Sequence, residues 1–150
     1  MQIQQWMKHP VHCVKPLDSI RHAREIMEMH RINQLPVIAG GQLIGIITDR
    51  DLRAAYPSVF DSPLLSGRKP HTAVTDPEAV TVEMVMTPNV LTLAPHDSVP
   101  DAARLMRRER IGAVPVVDGN RLVGILTRSD VLDAFVGLAT SVAPRRQDEG

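Results

Sequence analysis

The feature that most constrains the fold is an internal repeat. When the sequence is aligned with itself at an offset of 79 positions, residues 3–55 coincide with residues 82–134. Eighteen of the 53 aligned pairs are identical, and nine more exchange one of Val, Ile and Leu for another. A period of this kind indicates two copies of one supersecondary unit, each too small to bury both of its faces alone. We therefore predict repeats at 3–55 and 82–136, a connecting loop at 56–81, and a helix end with a flexible tail at 137–150.

Each copy begins with a short extended run that leads into an amphipathic helix. The runs at 11–15 and 90–94 each end at a proline, which favours extended geometry in the residue before it. Asp18 and Asp97 are the predicted N-caps of the helices. The apolar residues recur at three-to-four spacing, which is typical of a helix with one buried face. They are Ile20, Ala23, Ile26 and Met27 in the first copy, and Val99, Ala102, Leu105 and Met106 in the second.

A hairpin and a second helix complete each copy. Strands are predicted from residues 36 and 115, and each is followed by a glycine-containing turn at Gly40–Gly41 or Gly119–Asn120. The last helix of the first copy is expected to end at Pro57. The predicted fold is α/β (α+β), with two strand-helix-strand-strand-helix repeats packed about a pseudo-twofold axis.

Composition limits the kinds of partner. Lys plus Arg and Asp plus Glu number 17 each, so no net charge attracts nucleic acid or an anionic membrane. The apolar runs are too short to span a bilayer, and no signal peptide is visible, which makes the cytoplasm the expected location. Six histidines do not amount to a metal site, because no cysteine or carboxylate cluster completes a ligand set. The single cysteine, Cys13, is interpreted as a small core residue rather than a nucleophile.

The second strand of each copy runs into the same motif: glycine, two aliphatic residues, threonine, two variable residues and aspartate. It occupies Gly45–Asp51 and Gly124–Asp130. This motif, repeated in the strand order above, resembles the CBS-domain family over about residues 3–136. Within the family, residues 48–52 and 57–60 are most similar to the CBS pair of acetoin-utilisation accessory proteins.

The resemblance implies two symmetry-related clefts that hold adenosine-type ligands. A carboxylate can accept hydrogen bonds from both hydroxyls of a ribose, which suits Asp51 and Asp130, with Thr48 and Thr127 beside them. The alternative is that each threonine and aspartate only caps the helix that follows. In the family each cleft takes one wall from each repeat. By position, the Asp130 cleft comprises Ile125, Thr127, Ser129 and Asp130 with Lys15, Ile20, Ile32 and Asn33, and the Asp51 cleft comprises Ile46, Thr48, Arg50 and Asp51 with Val99, Ile111 and Gly112.

Phosphate recognition departs from that of some nucleotide-sensing relatives. They place His or Arg just before the central Pro-Val, whereas residues 33–34 and 112–113 here are uncharged. A phosphate charge would have to be met by Arg50, Arg53, Lys15 or Arg128, which leaves the number of phosphates open.

The two clefts are expected to differ. Lys15 is matched by Ala94, and Arg50 is matched by Ser129. We expect Arg50 to be held by neighbouring carboxylates while Lys15 follows a phosphate, so that the Asp130 cleft fills first with a phosphorylated ligand.

The predicted function is a regulatory module that binds an adenine nucleotide (AMP, ADP, ATP or similar) as a ligand, with no cofactor. We also expect the chain to form a homodimer. An unidentified regulated protein is expected to sense the change that the ligand causes in packing. The alternative is a structural homodimerisation unit with empty clefts. An enzyme is disfavoured because neither copy offers a nucleophile with an adjacent base, a metal ligand set or a phosphate-binding glycine loop. Nucleic-acid binding is disfavoured by the zero net charge and the four aromatic residues.

Overall fold

The elements follow the predicted order within each repeat. The computed structural model describes residues 1–55 and 78–141. The first repeat contains a 3₁₀ turn (Ile3–Gln5), α1 (Ile20–His30), β1 (Gln34–Ala39), β2 (Gln42–Thr48) and α2 (Asp49–Ala55). The second contains α3 (Val82–Val85), β3 (Thr87–Pro88), α4 (Val99–Glu109), β4 (Ala113–Asp118), β5 (Arg121–Thr127) and α5 (Arg128–Ser141). The mixed α/β class is confirmed, whereas the expected helix end at Pro57, most of the connecting loop and the tail beyond residue 141 lie outside the described residues.

The compact units of the structure are offset from the repeats of the sequence. One unit is His12–Val90, and the other joins Met1–Val11 to the chain from Leu91 onward. Since residues 3–11 and 82–90 correspond at the offset of 79, the first segment of each repeat lies in the unit formed by the rest of the other repeat. Each unit is therefore completed by a segment distant in the chain.

The same backbone pairing holds the exchanged segment in each unit. In the first unit β3 pairs antiparallel with β2, with Thr87 opposite Ile46. In the second, Lys8 and Ile125 exchange two backbone hydrogen bonds of 2.9 and 3.1 Å. At the 79-residue offset Lys8 corresponds to Thr87 and Ile125 to Ile46, so the two pairings are equivalent.

The hairpins form as predicted, but the first extended run of each copy is reduced to one bridge. Gly40 and Gly41 adopt φ of +56° and +78° between β1 and β2, and Gly119 adopts +63° between β4 and β5. Val14 bridges Val37, and Leu93 bridges Val116, both in parallel. The prolines two positions later have no N–H group with which to continue a ladder, so a longer strand is not formed.

The predicted N-caps were wrong by one residue. Ser19 and Ser98 cap α1 and α4, and each hydroxyl accepts a 3.1 Å hydrogen bond from a first-turn amide. The carboxylates of Asp18 and Asp97 instead accept 2.8 Å bonds from the amides three residues earlier. Aspartate and serine both stabilise helix starts, but here the carboxylate closes the turn that leads into the helix and the hydroxyl caps it.

Each unit has its own aliphatic core. The first consists of Val14, Ile20, Ala23, Met27, Leu35, Val37, Ile47, Leu52 and Val82. The second consists of Ile3, Leu93, Val99, Ala102, Met106, Val114, Val116, Leu126 and Ala134. Val82 and Ile3, which the exchanged segments supply, are completely buried. Cys13 is exposed, so its assignment to the core was wrong. Within the described residues, no helix is long and apolar enough to cross a membrane.

Two glycines let the exchanged segments lie directly on the sheet. A Cβ atom at Gly45 would stand 2.9 Å from the Thr87 carbonyl oxygen and would overlap the Met86 sulfur. At Gly124 it would overlap Met7 Sδ and stand 3.2 Å from the Lys8 carbonyl oxygen. Met7 and Met86 therefore act as packing residues over the two glycines.

We predict that Gly45→Ala lowers the free energy of unfolding by about 1–3 kcal/mol, because backbone of the docked segment must move to admit the methyl group. The matched control is Gly112→Ala, whose new Cβ would meet only the Arg128 side chain at an ordinary 3.7 Å. Urea denaturation of both variants checks this. Equal stability of Gly45→Ala and the wild type would contradict the close approach.

Candidate functional site

In the first unit, Thr48 and Asp51 form a reciprocal cap at the start of α2. The Thr48 amide donates to Asp51 Oδ2 at 2.9 Å, and the Asp51 amide donates to Thr48 Oγ1 at 3.2 Å. This capping box satisfies two of the amides that a helix start leaves without partners. Asp51 Oδ1 accepts no hydrogen bond from the part of the chain that the structure describes. The pair therefore caps α2, and the cap uses only one of the two carboxylate oxygens.

In the second unit, Thr127 and Asp130 repeat this geometry at the start of α5. Asp130 Oδ2 accepts from the Thr127 amide at 2.7 Å and from its hydroxyl at 2.8 Å. The Asp130 amide donates to Thr127 Oγ1 at 3.3 Å. Asp130 is only 5% exposed, whereas Asp51 is half-buried.

The second unit adds a cation that the sequence did not predict. Lys8 Nζ lies 2.6 Å from Asp130 Oδ1 and 3.2 Å from Thr127 Oγ1. The lysine side chain is 56% exposed and the Asp130 side chain 7%. The one signal that could have revealed Lys8 is that the repeat places a lysine opposite Thr87, beside the Met7–Met86 match.

Arg50 does not make the expected ion pair. Asp49 pairs with Arg53 at 2.8 Å, and within the described residues Arg50 makes no salt bridge. Residues four apart share a helix face whereas adjacent residues do not, so Asp49 meets Arg53 and not Arg50. The expectation that neighbouring carboxylates hold Arg50 was wrong.

The segments before each hairpin meet the start of the helix after it. The Asn33 carbonyl accepts from the Asp49 amide at 2.7 Å, and the Gly112 carbonyl accepts from the Arg128 amide at 3.0 Å. Each unit thus brings together one threonine–aspartate pair, one of these loop residues and the end of its second strand. In the first unit the gathered candidates are Asn33, Ile46, Thr48, Arg50 and Asp51, and in the second they are Gly112, Ile125, Thr127, Ser129 and Asp130.

The remaining candidates occupy other environments. Ile20 and Val99 are buried in the cores of their own units, at 1% and 3% exposure. Ile32 and Ile111 are half-buried and pack against those cores. Lys15 is exposed and bonds to Asp18 through its backbone amide. The sharing of each cleft between the two repeats stays a prediction.

A surface cavity of about 500 Å³ lies beside α1 and α2 in the first unit. Its lining mixes three arginines, two carboxylates, one amide and three apolar side chains. They are Arg24, Arg31, Arg53, Glu28, Asp49, Asn33, Met27, Ile32 and Leu52. Arg24 and Arg53 are paired with Glu28 and Asp49. The cavity includes three predicted residues, Ile32, Asn33 and Arg53, but neither member of the threonine–aspartate pair.

Histidine and cysteine side chains form no metal site in the portion of the chain described. His12 stacks on His30 with ring centroids 3.6 Å apart. No three His, Cys, Asp or Glu side chains of that portion are arranged so that they could hold a metal ion. Partial desolvation, together with the carboxylate of Asp18, raises the pKa of the Cys13 thiol and so reduces its thiolate fraction at neutral pH.

Comparison with known proteins identifies the repeat. The family model for the CBS domain matches residues 3–58 and 82–137. The chain belongs to the CBS-domain family. Both of its CBS repeats carry the threonine–aspartate pair described above.

Three solved CBS structures are similar to the whole chain. The CBS pair of protein MJ0100, in complex with methylthioadenosine and S-adenosylmethionine, has a TM-score of 0.72 and 31% identity, and covers 92% of this chain and 98% of that one. CBSX2 in complex with AMP has a TM-score of 0.74 and 30% identity, with coverage of 92% and 98%. A protein described as a putative acetoin utilization protein (AcuB), from Vibrio cholerae, has a TM-score of 0.76 and 26% identity, with coverage of 93% of each chain. The expected resemblance to acetoin-utilisation proteins is confirmed.

We predict that Thr48→Ala lowers the free energy of unfolding by about 1 kcal/mol, because it removes the hydroxyl that caps α2. Thr48→Ser keeps that hydroxyl and is expected to retain most of the stability. Thermal unfolding of the two variants checks the cap. Equal melting temperatures would show that the hydroxyl contributes nothing.

Proposed function

We propose that this CBS pair is a regulatory, ligand-sensing module that binds adenosine-containing ligands through the ribose at Asp51 and Asp130. The observation that carries the proposal is that the two oxygens of the Asp51 carboxylate have different environments. Oδ2 is fixed by the Thr48 amide, and Oδ1 has no partner within the described residues. A carboxylate that is already oriented loses little side-chain entropy when a ribose hydroxyl donates to it.

The chemistry of the surroundings suits a nucleoside. The half-buried side chain of Ile46 on β2 offers apolar surface to a purine, whereas Ile125, at the same place on β5, is only 7% exposed. AMP, methylthioadenosine and S-adenosylmethionine in the related structures share an adenosyl group but differ in charge. The uncharged residues at 33–34 and 112–113 favour recognition of that shared group over recognition of a polyphosphate.

Regulation requires the ligand to bind one arrangement of the protein better than another. Because each motif caps a helix, a ligand on the carboxylate acts at the start of α2 or α5. We infer that a homodimer or a regulated partner protein senses the change at these helices, and that the module itself catalyses no reaction. The expected cytoplasmic location is part of this proposal.

A second function, homodimerisation, is favoured by the surface of α5. Leu132, Phe135, Val136 and Leu138 are between 49% and 65% exposed. Positions 132, 135 and 136 share one face of the helix. An exposed apolar stripe of this kind is typical of an interaction surface. This function is compatible with ligand binding, and it becomes the alternative if the clefts stay empty.

We call the candidates gathered around Asp51 in the first unit, and those gathered around Asp130 in the second, the two half-sites. We predict that Asp51→Ala weakens binding of an adenosine ligand about ten- to hundredfold at the Asp51 half-site. Hydrogen bonds to a charged group contribute about 1.5–3 kcal/mol. A thermal-shift panel with AMP, ADP, ATP, NAD and S-adenosylmethionine identifies the ligand, and calorimetry then compares Asp51→Ala with the wild type. The control is Asp133→Ala, an exposed aspartate of α5 outside both motifs. Loss of the cap alone would lower the melting temperature and leave affinity unchanged, which would refute the binding role.

We predict that the chain is a homodimer at micromolar concentration and that Phe135→Glu shifts it towards monomer, because a charge in an apolar interface is desolvated without a partner. Light scattering checks the mass, with Arg107→Glu, on an exposed face of α4, as the control. A wild-type mass of 16.5 kDa would overturn the dimer.

A further inference from the structure

Lys8 and Thr87 occupy the same place in the two units but differ in charge. Each lies on the segment that docks beside the second strand, opposite Ile125 or Ile46. Lys8 Nζ contacts both members of the neighbouring motif, Thr127 and Asp130. A threonine in that place has no ammonium group to offer Asp51. The two half-sites therefore have matching backbones and different electrostatics.

The ammonium of Lys8 changes what the Asp130 carboxylate can offer. Oδ2 already accepts from the Thr127 amide and hydroxyl, and Oδ1 accepts from Lys8 at 2.6 Å. A ribose hydroxyl must displace the ammonium from Oδ1 or share that oxygen with it. Asp51 Oδ1 carries no such contact within the described chain.

We propose that Lys8 is a specificity-determining residue, which makes the Asp130 half-site select ribosyl ligands that carry an anionic group over neutral nucleosides. This inference rests on the proposed function, since it assumes that Asp130 receives the ribose. The Asp51 half-site, with Thr87 in the corresponding place, lacks this selection. The ligand class assigned to the Asp130 half-site is the nucleoside phosphate.

The selection depends on whether the Lys8 ammonium finds a new anionic partner when a ribose hydroxyl takes its place at Asp130 Oδ1. A neutral nucleoside that takes Oδ1 deprives the ammonium of its 2.6 Å partner and offers only hydroxyls in return. A ligand with a phosphate supplies a replacement anion. The lysine side chain is flexible and 56% exposed, so its ammonium can follow a phosphate without disturbing the core. Lys8 is thus an internal competitor for neutral ligands and a contact for anionic ones.

Lys8 is not one of the residues from which the sequence predicted a difference between the Asp51 and Asp130 clefts. Lys15 and Arg50 were the candidate cations, but neither is in contact with a motif aspartate through its side chain in the described structure. Lys8 reaches Asp130 directly, from 122 residues away in the chain. The preference for a phosphorylated ligand therefore has a physical basis within one unit.

Calorimetry with AMP and with adenosine tests the proposal on the full chain. Asp51→Ala confines strong binding to the Asp130 half-site, and the comparison is between Asp51→Ala and Asp51→Ala with Lys8→Thr. Removing a hydrogen bond between the Lys8 ammonium and the phosphate is expected to weaken AMP binding about ten- to hundredfold. Adenosine is expected to bind about two- to fivefold more tightly once the competing ion pair is gone. The ratio of AMP to adenosine affinity is therefore expected to fall about twentyfold or more.

Two further variants separate charge from packing. Lys8→Arg keeps the cation and is expected to retain the AMP preference. Thr87→Lys, in an Asp130→Ala background, is expected to raise that preference at the Asp51 half-site. Melting temperatures verify that every variant is folded.

Each outcome of these measurements decides one of the two proposals. An unchanged ratio in Lys8→Thr, or a ratio that falls equally in Lys8→Arg, overturns the role of the Lys8 charge while leaving adenosine binding intact. If the wild type binds neither AMP nor adenosine but binds another member of the ligand panel, the inference about Lys8 fails alone. If it binds no member of the panel, the proposed function fails and this inference fails with it.

Discussion

The docking of a short backbone segment against the second strand of each unit is the contact on which the rest of the structure depends. Gly45 and Gly124 have no Cβ, so the segments at Met86–Thr87 and Met7–Lys8 can lie at main-chain distance from the sheet. The docked segments also deliver Val82 and Ile3, which are fully buried in the two cores. A larger residue at either glycine would separate the sheet from the segment and open the core behind it. Lys8 reaches Asp130 only because its backbone is bonded to Ile125, five residues before that carboxylate.

The motif aspartates connect folding to binding. One oxygen of each carboxylate caps a helix, and that bond fixes the direction in which the other oxygen points. A side chain constrained in this way is a better receptor for a hydroxyl than a mobile one, because its rotamer entropy is lost during folding and not during binding. The capping and binding interpretations are therefore complementary, since the cap orients the receptor atom.

Local patterns in the sequence were sufficient to predict the helices, the hairpins and most of the buried positions. The 79-residue offset, the helical spacing of apolar residues and the turn glycines gave the elements and most of the buried positions. Adjacent Asp18 and Ser19 both favour a helix start, so propensity alone could not assign the cap. The exchange of the first segments depends on pairing between residues far apart in the chain, such as Ile46 with Thr87 and Lys8 with Ile125, which no local pattern records. Lys8 was missed for the same reason, and Arg50 was assigned an ion pair that helix geometry gives to Arg53.

The two repeats can differ in charge at this site without differing in fold. Glycine at 45 and 124 is required by main-chain contact, and threonine and aspartate close the caps, so these positions are constrained by the backbone itself. Lys8 and Thr87 pair with the neighbouring strand through backbone atoms, and their side chains are exposed. A substitution at either position leaves this backbone pairing in place. The same substitution places or removes a full charge next to the carboxylate, so a duplicated module can acquire two unlike half-sites through a single position.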